Sequence, residues 1–393
     1  NDRQAPTITC PENLTRSTDP NTCSAVVTYA TPTASDNCNA VGTPVCTPPS
    51  GSVFQKGVTT VTCNVRDAAQ NQATCSFTVT VNDNENPVLT CPTPNPVVTT
   101  GGNGAGDCNG AYTITDPVSD NCSGATWSYS ATGATTIPAV SPINDGTGSG
   151  SVVFNKGVTT ITLTAVDASS NQAVTCGFTV TVNDNENPSL TCPTPNPVVT
   201  TSSNGTGDCT GSYTIADPVF DNCTGATWGY SGTGATTFTA VTNIADGTGS
   251  GSLTFNKGVT TITLTAADAS NNPAVTCSFT VTVNDDENPV LTCPTPNPIV
   301  TTSSNGTGDC NGAYTIADPV SDNCSGATWS YSATGATTIP AVSPINDGTG
   351  SGAVTFNKGV TTITLTAVDA SSNQATTCAF TVTVNDNENP ALT

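Results

Sequence analysis

The chain has 393 residues with 29 acidic and 7 basic side chains, a net charge of −22, and neither His nor Met. That sign of charge excludes nucleic acid as a partner, and a charged fraction of only 9% beside abundant Thr and Val excludes a disordered acidic tail. No apolar run approaches the ~20 residues of a spanning helix, so no membrane span is expected in this segment, which reads as part of a longer or processed polypeptide.

The chain opens on NDRQAP (residues 1–6), and a kindred hexapeptide returns as NDNENP at 82–87 and 183–188, NDDENP at 284–289 and NDNENP at 385–390. The last four copies are spaced by 101 residues. This period predicts domains at 1–81, 82–182, 183–283 and 284–384, with 385–393 opening a further repeat or serving as a linking strand.

In the second repeat the expected strands run VLTC (88–91), VVTT (97–100), AYTITDP (111–117) and TWSYS (126–130). SVVF (151–154) and VTTITLTAVD (158–167) flank a tight turn at Asn155-Lys156-Gly157, and CGFTVTV (176–182) closes the unit. Apolar residues alternate with Thr or Ser, the period of a half-buried strand, and no stretch has helical spacing. About seven short strands in ~100 residues predict an all-β fold, tandem immunoglobulin-like β-sandwich domains arranged end to end. Trp127, Trp228 and Trp329 recur on the expected third strand, as core residues between the sheets.

Eighteen cysteines fall as 6, 4, 4 and 4. Even counts predict disulfides within each domain and an oxidising compartment. Zinc is disfavoured by the lack of His and of any CxxC pair. The short first repeat lacks the Trp and the excursion around 132–150, and carries the extra cysteines Cys46 and Cys63. These are expected to pair where longer repeats place a bulky apolar contact. The shared sets are Cys10, Cys23, Cys38 and Cys75; Cys91, Cys108, Cys122 and Cys176; Cys192, Cys209, Cys223 and Cys277; and Cys293, Cys310, Cys324 and Cys378. Four cysteines allow three connectivities. Placing Cys122 and Cys176 at one end of the sandwich favours Cys122–Cys176 with Cys91–Cys108.

The opening NDxxxPxxTCP, the SDNC of residues 119–122, FxKGVTTxTxxxxD (154–167) and SxNQAxxCxFTVTVND (170–184) together resemble the hyalin repeat (HYR) domain, an immunoglobulin-like module. The resemblance covers all four repeats, the last three departing from it by a long insertion between SDNC and FNKG. It implies extracellular or cell-surface tandem arrays in adhesion and matrix proteins, and no catalysis.

The repeat junctions carry the most pointed chemistry. Asp83, Asn84 and Glu85 form a linker similar to that of cadherins, where such runs bind calcium between domains. Asp120 with Asn121, Asp167 with Asn171, and Asp116 are expected at the same end of the following domain. The equivalent sets are Asp184, Glu186, Asp217, Asp221 and Asp268, then Asp285, Asp286, Glu287, Asp318, Asp322 and Asp369, with Asp2, Asp36 and Asp67 as a thinner version. Two readings stand. Oxygen ligands converging from three segments suit Ca²⁺, while Asn and Asp also cap turns and satisfy loop backbones. Five or six carboxylates per junction, with one Lys per repeat, favour the ion. Lys56, Lys156, Lys257 and Lys358 in the FxKG turns read as solvated turn residues or as partners in a Lys–Asn isopeptide bond.

Catalysis has little to stand on, since there is no His and the carboxylates recur with the period. The expected role is a structural or adhesive stalk or filament segment. The alternatives are a ligand-binding adhesin, for which Phe238 on the insertion would be a contact, and an accessory array of a larger secreted enzyme. The partners implied are neighbouring domains and further copies, joined head to tail by strand addition.

Overall fold

A computed structural model describes residues 2–38, 41–101, 107–204, 207–302 and 309–388. Residues 389–393, the tail expected to open a further repeat or act as a linking strand, lie outside the described residues. The described chain is all-β apart from a 3-10 turn at Thr201–Asn204. It divides into two compact units, Asn1–Glu186 and Asn187–Thr393. Each unit holds two repeats and two separate hydrophobic cores.

The second repeat shows how the alternating pattern becomes a sandwich. In Gly157–Val166, Thr159, Ile161, Leu163 and Ala165 point inward while Thr160, Thr162 and Thr164 face out. Burying each large apolar side chain stabilises the fold by roughly 1.5–3 kcal/mol. Gly157–Val166 lies between Thr126–Gly133 and Cys176–Asn183 in a five-stranded sheet, antiparallel to both, with Ile143–Asn144 at one edge. Val97–Thr99 adds the other edge, parallel to the last strand. The opposing layer pairs Asn109–Thr113 with Ser151–Asn155 and Val88–Leu89 with Val118–Ser119. Between the layers, Trp127, Tyr129, Leu163 and Phe178 meet Ile114, Val118 and Phe154. Trp127 is 1% exposed, and its indole N–H donates to the Thr147 carbonyl at 3.1 Å, so its polar edge is satisfied inside the core.

The turn at Asn155-Lys156-Gly157 does not close a hairpin. Ser151–Asn155 and Gly157–Val166 belong to different layers, and the chain changes sheet between them. Gly157 sits at φ 118°, a backbone region that favours glycine. The crossover leaves Lys156 at the end of the sandwich, next to the linker. The insertion likewise builds an edge strand, short in the second repeat and eight residues long in the third, Phe238–Ala245. Phe238, expected as an exposed contact, packs edge-on against Tyr230 and Phe255 of its own core, with ring centroids 6.1 and 5.0 Å apart.

Disulfide connectivity departs from the expected scheme. Cys91 is bonded to Cys176, not Cys108, and Cys122 to Cys23, not Cys176. Because Val97–Thr99 runs alongside the last strand, the segment before it crosses beside Cys176, and Asn95 Oδ1 accepts the Thr179 N–H at 3.3 Å. Cys10–Cys75, Cys192–Cys277 and Cys293–Cys378 repeat this staple. Cys23–Cys122 and Cys209–Cys324 join successive repeats, against the expectation that every bridge lies within one domain. Cys108 and Cys223 are also disulfide-bonded. Cys38 and Cys310, expected among the bridged cysteines, are free and exposed. Cys38 is the third cysteine of the first repeat and Cys310 the second of the last, the positions that reach outward to a neighbouring repeat. In the first repeat Cys46 and Cys63 face each other on paired strands and are bonded, with Cys63 as buried as Leu163.

Candidate metal centre

At the junction of the first two repeats, three aspartates from three segments converge. Asp83 comes from the linker, Asp120 from the loop after Val118–Ser119, and Asp167 from the turn that ends Gly157–Val166. One carboxylate oxygen from each lies within 4.8 Å of the others. Asp285, Asp322 and Asp369 repeat the arrangement in the second compact unit. Oxygens that each sit 2.3–2.6 Å from one Ca²⁺ can be up to about 5 Å apart, so the span suits a single ion.

The partners of each carboxylate are unequal. Asp167 is fixed by its own turn: Oδ1 accepts the N–H groups of Ser169 and Asn171 at 2.9 and 2.7 Å, and Oδ2 accepts the Asn171 amide at 2.8 Å. Asp83 accepts from Lys56 Nζ at 3.3 Å, Ser169 Oγ at 3.3 Å and Asn121 Nδ2 at 3.3 Å. Burial would push Asp83 up, yet the hydrogen bond from the Lys56 ammonium, with those from the Glu85 N–H and Asn121, holds it below the ordinary carboxylate value. Asp285 behaves alike beside Lys257. Asp120 accepts the Cys122 N–H on Oδ2 at 3.1 Å. Its Oδ1 is buried without a hydrogen-bond partner, as is Asn121 Oδ1, and Asp322 and Asn323 repeat this at the other junction. Burial first, then the charges of Asp83 and Asp167, push Asp120 up; burial, Asp285 and Asp369 do the same to Asp322. At an effective dielectric of about 20, two such charges at this spacing repel by roughly 3 kcal/mol.

A buried carboxylate oxygen and a buried amide oxygen, both without donors and beside two further carboxylates, form a donor set that fits a hard cation. Asp120 lines a cleft of about 210 Å³ with Asn21, Glu85, Asn86, Val88, Ser119 and Asn121. Asp322 lines the corresponding cleft of about 370 Å³ with Glu287.

The other sequence-predicted residues have the following partners. Asp116 accepts N–H groups of Val118 and Gly146 at 3.2 and 2.6 Å and so pins the insertion, not the junction. Asp217 and Asp318 hold Gly247 and Gly348 in the same way. Glu85 accepts the Asn21 N–H at 3.0 Å, reaching back to the preceding repeat. Asp286 accepts from Ser202 Oγ at 2.8 Å, away from the trio. Asp184, in the first compact unit, bonds Lys156 at 3.3 Å and Thr100 Oγ1 at 3.2 Å, and accepts the Glu186 N–H at 3.2 Å. In the second unit Asp221 accepts the Cys223 N–H at 3.1 Å, and Asp268 binds its own turn through Asn272 at 2.6 Å. Asp2 and Asp36 cluster with Cys38, whereas Asp67 is held in a turn by Asn71. The FxKG lysines are partly solvated turn residues, and each also ion-pairs with a linker aspartate. Their signal was present in the sequence: each is the sole Lys of its repeat in a strongly acidic chain.

These shifts fix the sign of a pH response without divalent ions. Asp120 and Asp322 are raised, so their contribution is most favourable below the ordinary value of 3.8 and is lost as pH rises through their folded values. Asp83 and Asp285 are lowered, so their contribution is present above 3.8 and lost as pH falls through their folded values. In chelator, the melting temperature is therefore expected to rise as pH is lowered from 7 through the folded values of Asp120 and Asp322, and to fall once pH drops below 3.8 toward the folded values of Asp83 and Asp285. A monotonic fall from pH 7, followed by circular dichroism, would contradict the placement of Asp120 and Asp322.

The HYR domain family model matches residues 1–81 and 107–182. Hyalin from Strongylocentrotus purpuratus is 28% identical over 390 residues, covering 98% of this chain and 28% of the relative. Hyalin from Lytechinus variegatus is 28% identical over 400 residues, covering 98% and 63%. The chain thus spans less than two thirds of the length of either relative. Among solved structures, Drosophila N-cadherin EC1-4 aligns with a TM-score of 0.29 at 13% identity, covering 86% of this chain and 88% of that one. The first repeat and most of the second thus match the HYR domain, and the motifs that carry the match recur in the third and fourth repeats.

Proposed function

We propose that this chain is an extracellular structural or adhesive array of four hyalin-repeat domains, 1–81, 82–182, 183–283 and 284–384, whose linkers bind calcium and are stiffened by it. The observation that carries the reading is the pair of buried, unpartnered oxygens on Asp120 and Asn121, repeated at Asp322 and Asn323, beside two further aspartates. A calcium ion there would be held by Asp83, Asp120, Asp167 and Asn121, and would supply the positive charge that one Lys cannot. Sixteen bridged cysteines suit an oxidising, extracellular setting, and the hyalin relatives suit an adhesive matrix. Residues that recur with the repeat supply reach and valency more readily than a single active site, so the role is read as non-enzymatic. Head-to-tail association of copies extends the array.

Equilibrium dialysis with ⁴⁵Ca²⁺ tests the ion. The intact chain is expected to bind at least two ions, one at each junction with the orphaned oxygens, and the double variant Asp120→Asn, Asp322→Asn is expected to bind two fewer. Equal binding by the two proteins would sink the calcium reading.

A further inference from the structure

The junction aspartates and the bridges between repeats share one loop. Asp120, Asn121 and Cys122 are consecutive, as are Asp322, Asn323 and Cys324. The Cys122 N–H donates to Asp120 Oδ2 at 3.1 Å, so the bridged cysteine holds the carboxylate that carries the orphaned oxygen. Across the bridge, the Cys23 carbonyl accepts the Lys56 N–H at 3.1 Å, and Lys56 Nζ pairs with Asp83 Oδ2 at 3.3 Å. Asn121 spans the same gap, its amide donating to the Thr22 carbonyl at 3.0 Å and to Asp83 Oδ1 at 3.3 Å. These contacts close a ring that runs from Asp120 through Cys122, Cys23 and Lys56 to Asp83. The second compact unit repeats it. The Cys324 N–H donates to Asp322 Oδ2 at 3.3 Å, and the Asn323 amide to the carbonyl of Asp208, which precedes Cys209, at 3.3 Å. The Lys257 N–H donates to the Cys209 carbonyl at 3.1 Å, and Lys257 Nζ pairs with Asp285 at 3.1 Å. The two bridges close different sequence separations, 99 and 115 residues, yet the ring is the same.

We propose that Cys23–Cys122 and Cys209–Cys324 position the calcium ligands, holding the Asp120–Asn121 and Asp322–Asn323 loops against their linkers, and that calcium in turn favours the oxidised bridges. The inference rests on the calcium reading above and adds what sets the affinity. Without Cys23–Cys122, the loop keeps the Asn121 amide as its tie to the Thr22 carbonyl, a hydrogen bond of modest net value. Repulsion among the three carboxylates then favours the open loop until a cation closes it. Asp167 is independent of the bridge, because its own turn fixes it. A loop in place in one molecule of ten binds about tenfold more weakly than one held there. Linkage makes the coupling reciprocal: the factor by which the bridge tightens calcium binding is the factor by which calcium shifts the thiol–disulfide equilibrium. In that equilibrium one glutathione thiolate attacks a bridge sulfur, forming a mixed disulfide and expelling the other cysteine as a thiolate. A second glutathione thiolate releases the remaining cysteine, and oxidised glutathione forms. The two glutathione protons and two electrons end on the two cysteine thiols. A tenfold factor makes the reduction potential of the bridge about 30 mV more negative in calcium.

Dialysis against ⁴⁵Ca²⁺ compares the full chain, its bridges formed, with the double variant Cys23→Ser, Cys122→Ser. The variant is expected to keep the parental affinity at Asp285, Asp322 and Asp369 and to bind at least tenfold more weakly at Asp83, Asp120 and Asp167. In a second arm the unaltered chain is equilibrated in glutathione buffers with and without Ca²⁺, and each bridge is quantified by alkylation and mass spectrometry. Calcium should shift Cys23–Cys122 and Cys209–Cys324 toward the disulfide by the factor that dialysis gives, and should leave Cys10–Cys75 unmoved. Cys75 lies near one end of Gln72–Asn82 and Asp83 just past the other, roughly 27 Å away at the rise of an extended strand. Because the redox arm needs no substitution, it decides even where the serine variant fails to fold. Unchanged affinity in a folded variant, or a Cys23–Cys122 equilibrium indifferent to the calcium that the intact chain binds, would overturn the coupling and leave the calcium reading standing. An intact chain that binds no calcium would overturn both.

Discussion

Chelating divalent cations is expected to lower the melting temperature of the chain by roughly 5–10 °C relative to about 10 mM Ca²⁺. The size follows from mass action. Extracellular calcium modules bind at about 10⁻⁴–10⁻³ M, and an ion at one hundred times its dissociation constant stabilises the folded form by about 2.7 kcal/mol per site. A compact pair of repeats of this size shifts by about 2–4 °C per kcal/mol. The direction is set by Asp120 and Asp322, which carry buried charge without a compensating donor on Oδ1. Replacing them with Asn removes a repelling charge while keeping shape and the oxygen that accepts from Cys122 or Cys324. Asp120→Asn with Asp322→Asn is therefore expected to melt higher than the parent in chelator and lower than the parent in Ca²⁺. A loss of stability of equal size in both buffers would assign these residues to turn chemistry alone. Differential scanning calorimetry at matched ionic strength makes the comparison, since general screening also weakens exposed carboxylate repulsion.

Much of the sandwich was legible because alternation is a local signal. The inward set of Gly157–Val166 can be read from GVTTITLTAV with no knowledge of the partner strands, and Trp127 falls in register with it at Ala165. The layer change at Lys156-Gly157 was not legible, because a glycine at positive φ serves a hairpin and a crossover equally well. The junction aspartates were visible as a recurring set, but the sequence could not rank them. Asp116 and Asp120 are four residues apart and chemically identical, yet one holds Gly146 and the other faces the trio. Only the orphaned oxygen separates them, and an orphan is a property of three-dimensional neighbours. The disulfides were concealed by arithmetic. A repeat that sends its second cysteine forward and receives its third from behind keeps an even count, so parity cannot distinguish internal from inter-repeat bridges. The unmatched Cys38 and Cys310 are where this shift becomes visible.

Replacing Cys23 and Cys122 together with Ser is expected to split the melting of the first compact unit into two transitions and lower that of the first repeat by on the order of 10–20 °C. This bridge closes a separation of 99 residues, whereas Cys46–Cys63 closes 17. Chain entropy values a ~100-residue closure at about 4.7 kcal/mol, and the logarithmic dependence makes it worth about 1.5 kcal/mol more than the local bridge. The first repeat is the more vulnerable partner: its core lacks the Trp that fills the others, and small domains depend more on cross-links. What remains at the junction without the bridge is polar, chiefly Lys56 with Asp83, Asn121 with the Thr22 carbonyl at 3.0 Å, and Asn84 with Ser17 at 2.8 Å. Partly exposed contacts of this kind contribute about 0–1 kcal/mol each, too little to keep two sandwiches melting as one. Calorimetry of the double variant, with Cys46→Ala and Cys63→Ala as the local comparison, makes the test. A single transition within a few degrees of the parent would mean that the polar junction alone couples the repeats. If the bridge is dominant, Ca²⁺ should restore part of the lost coupling in the variant, because an ion held by Asp83, Asp120 and Asp167 would draw linker and following repeat together.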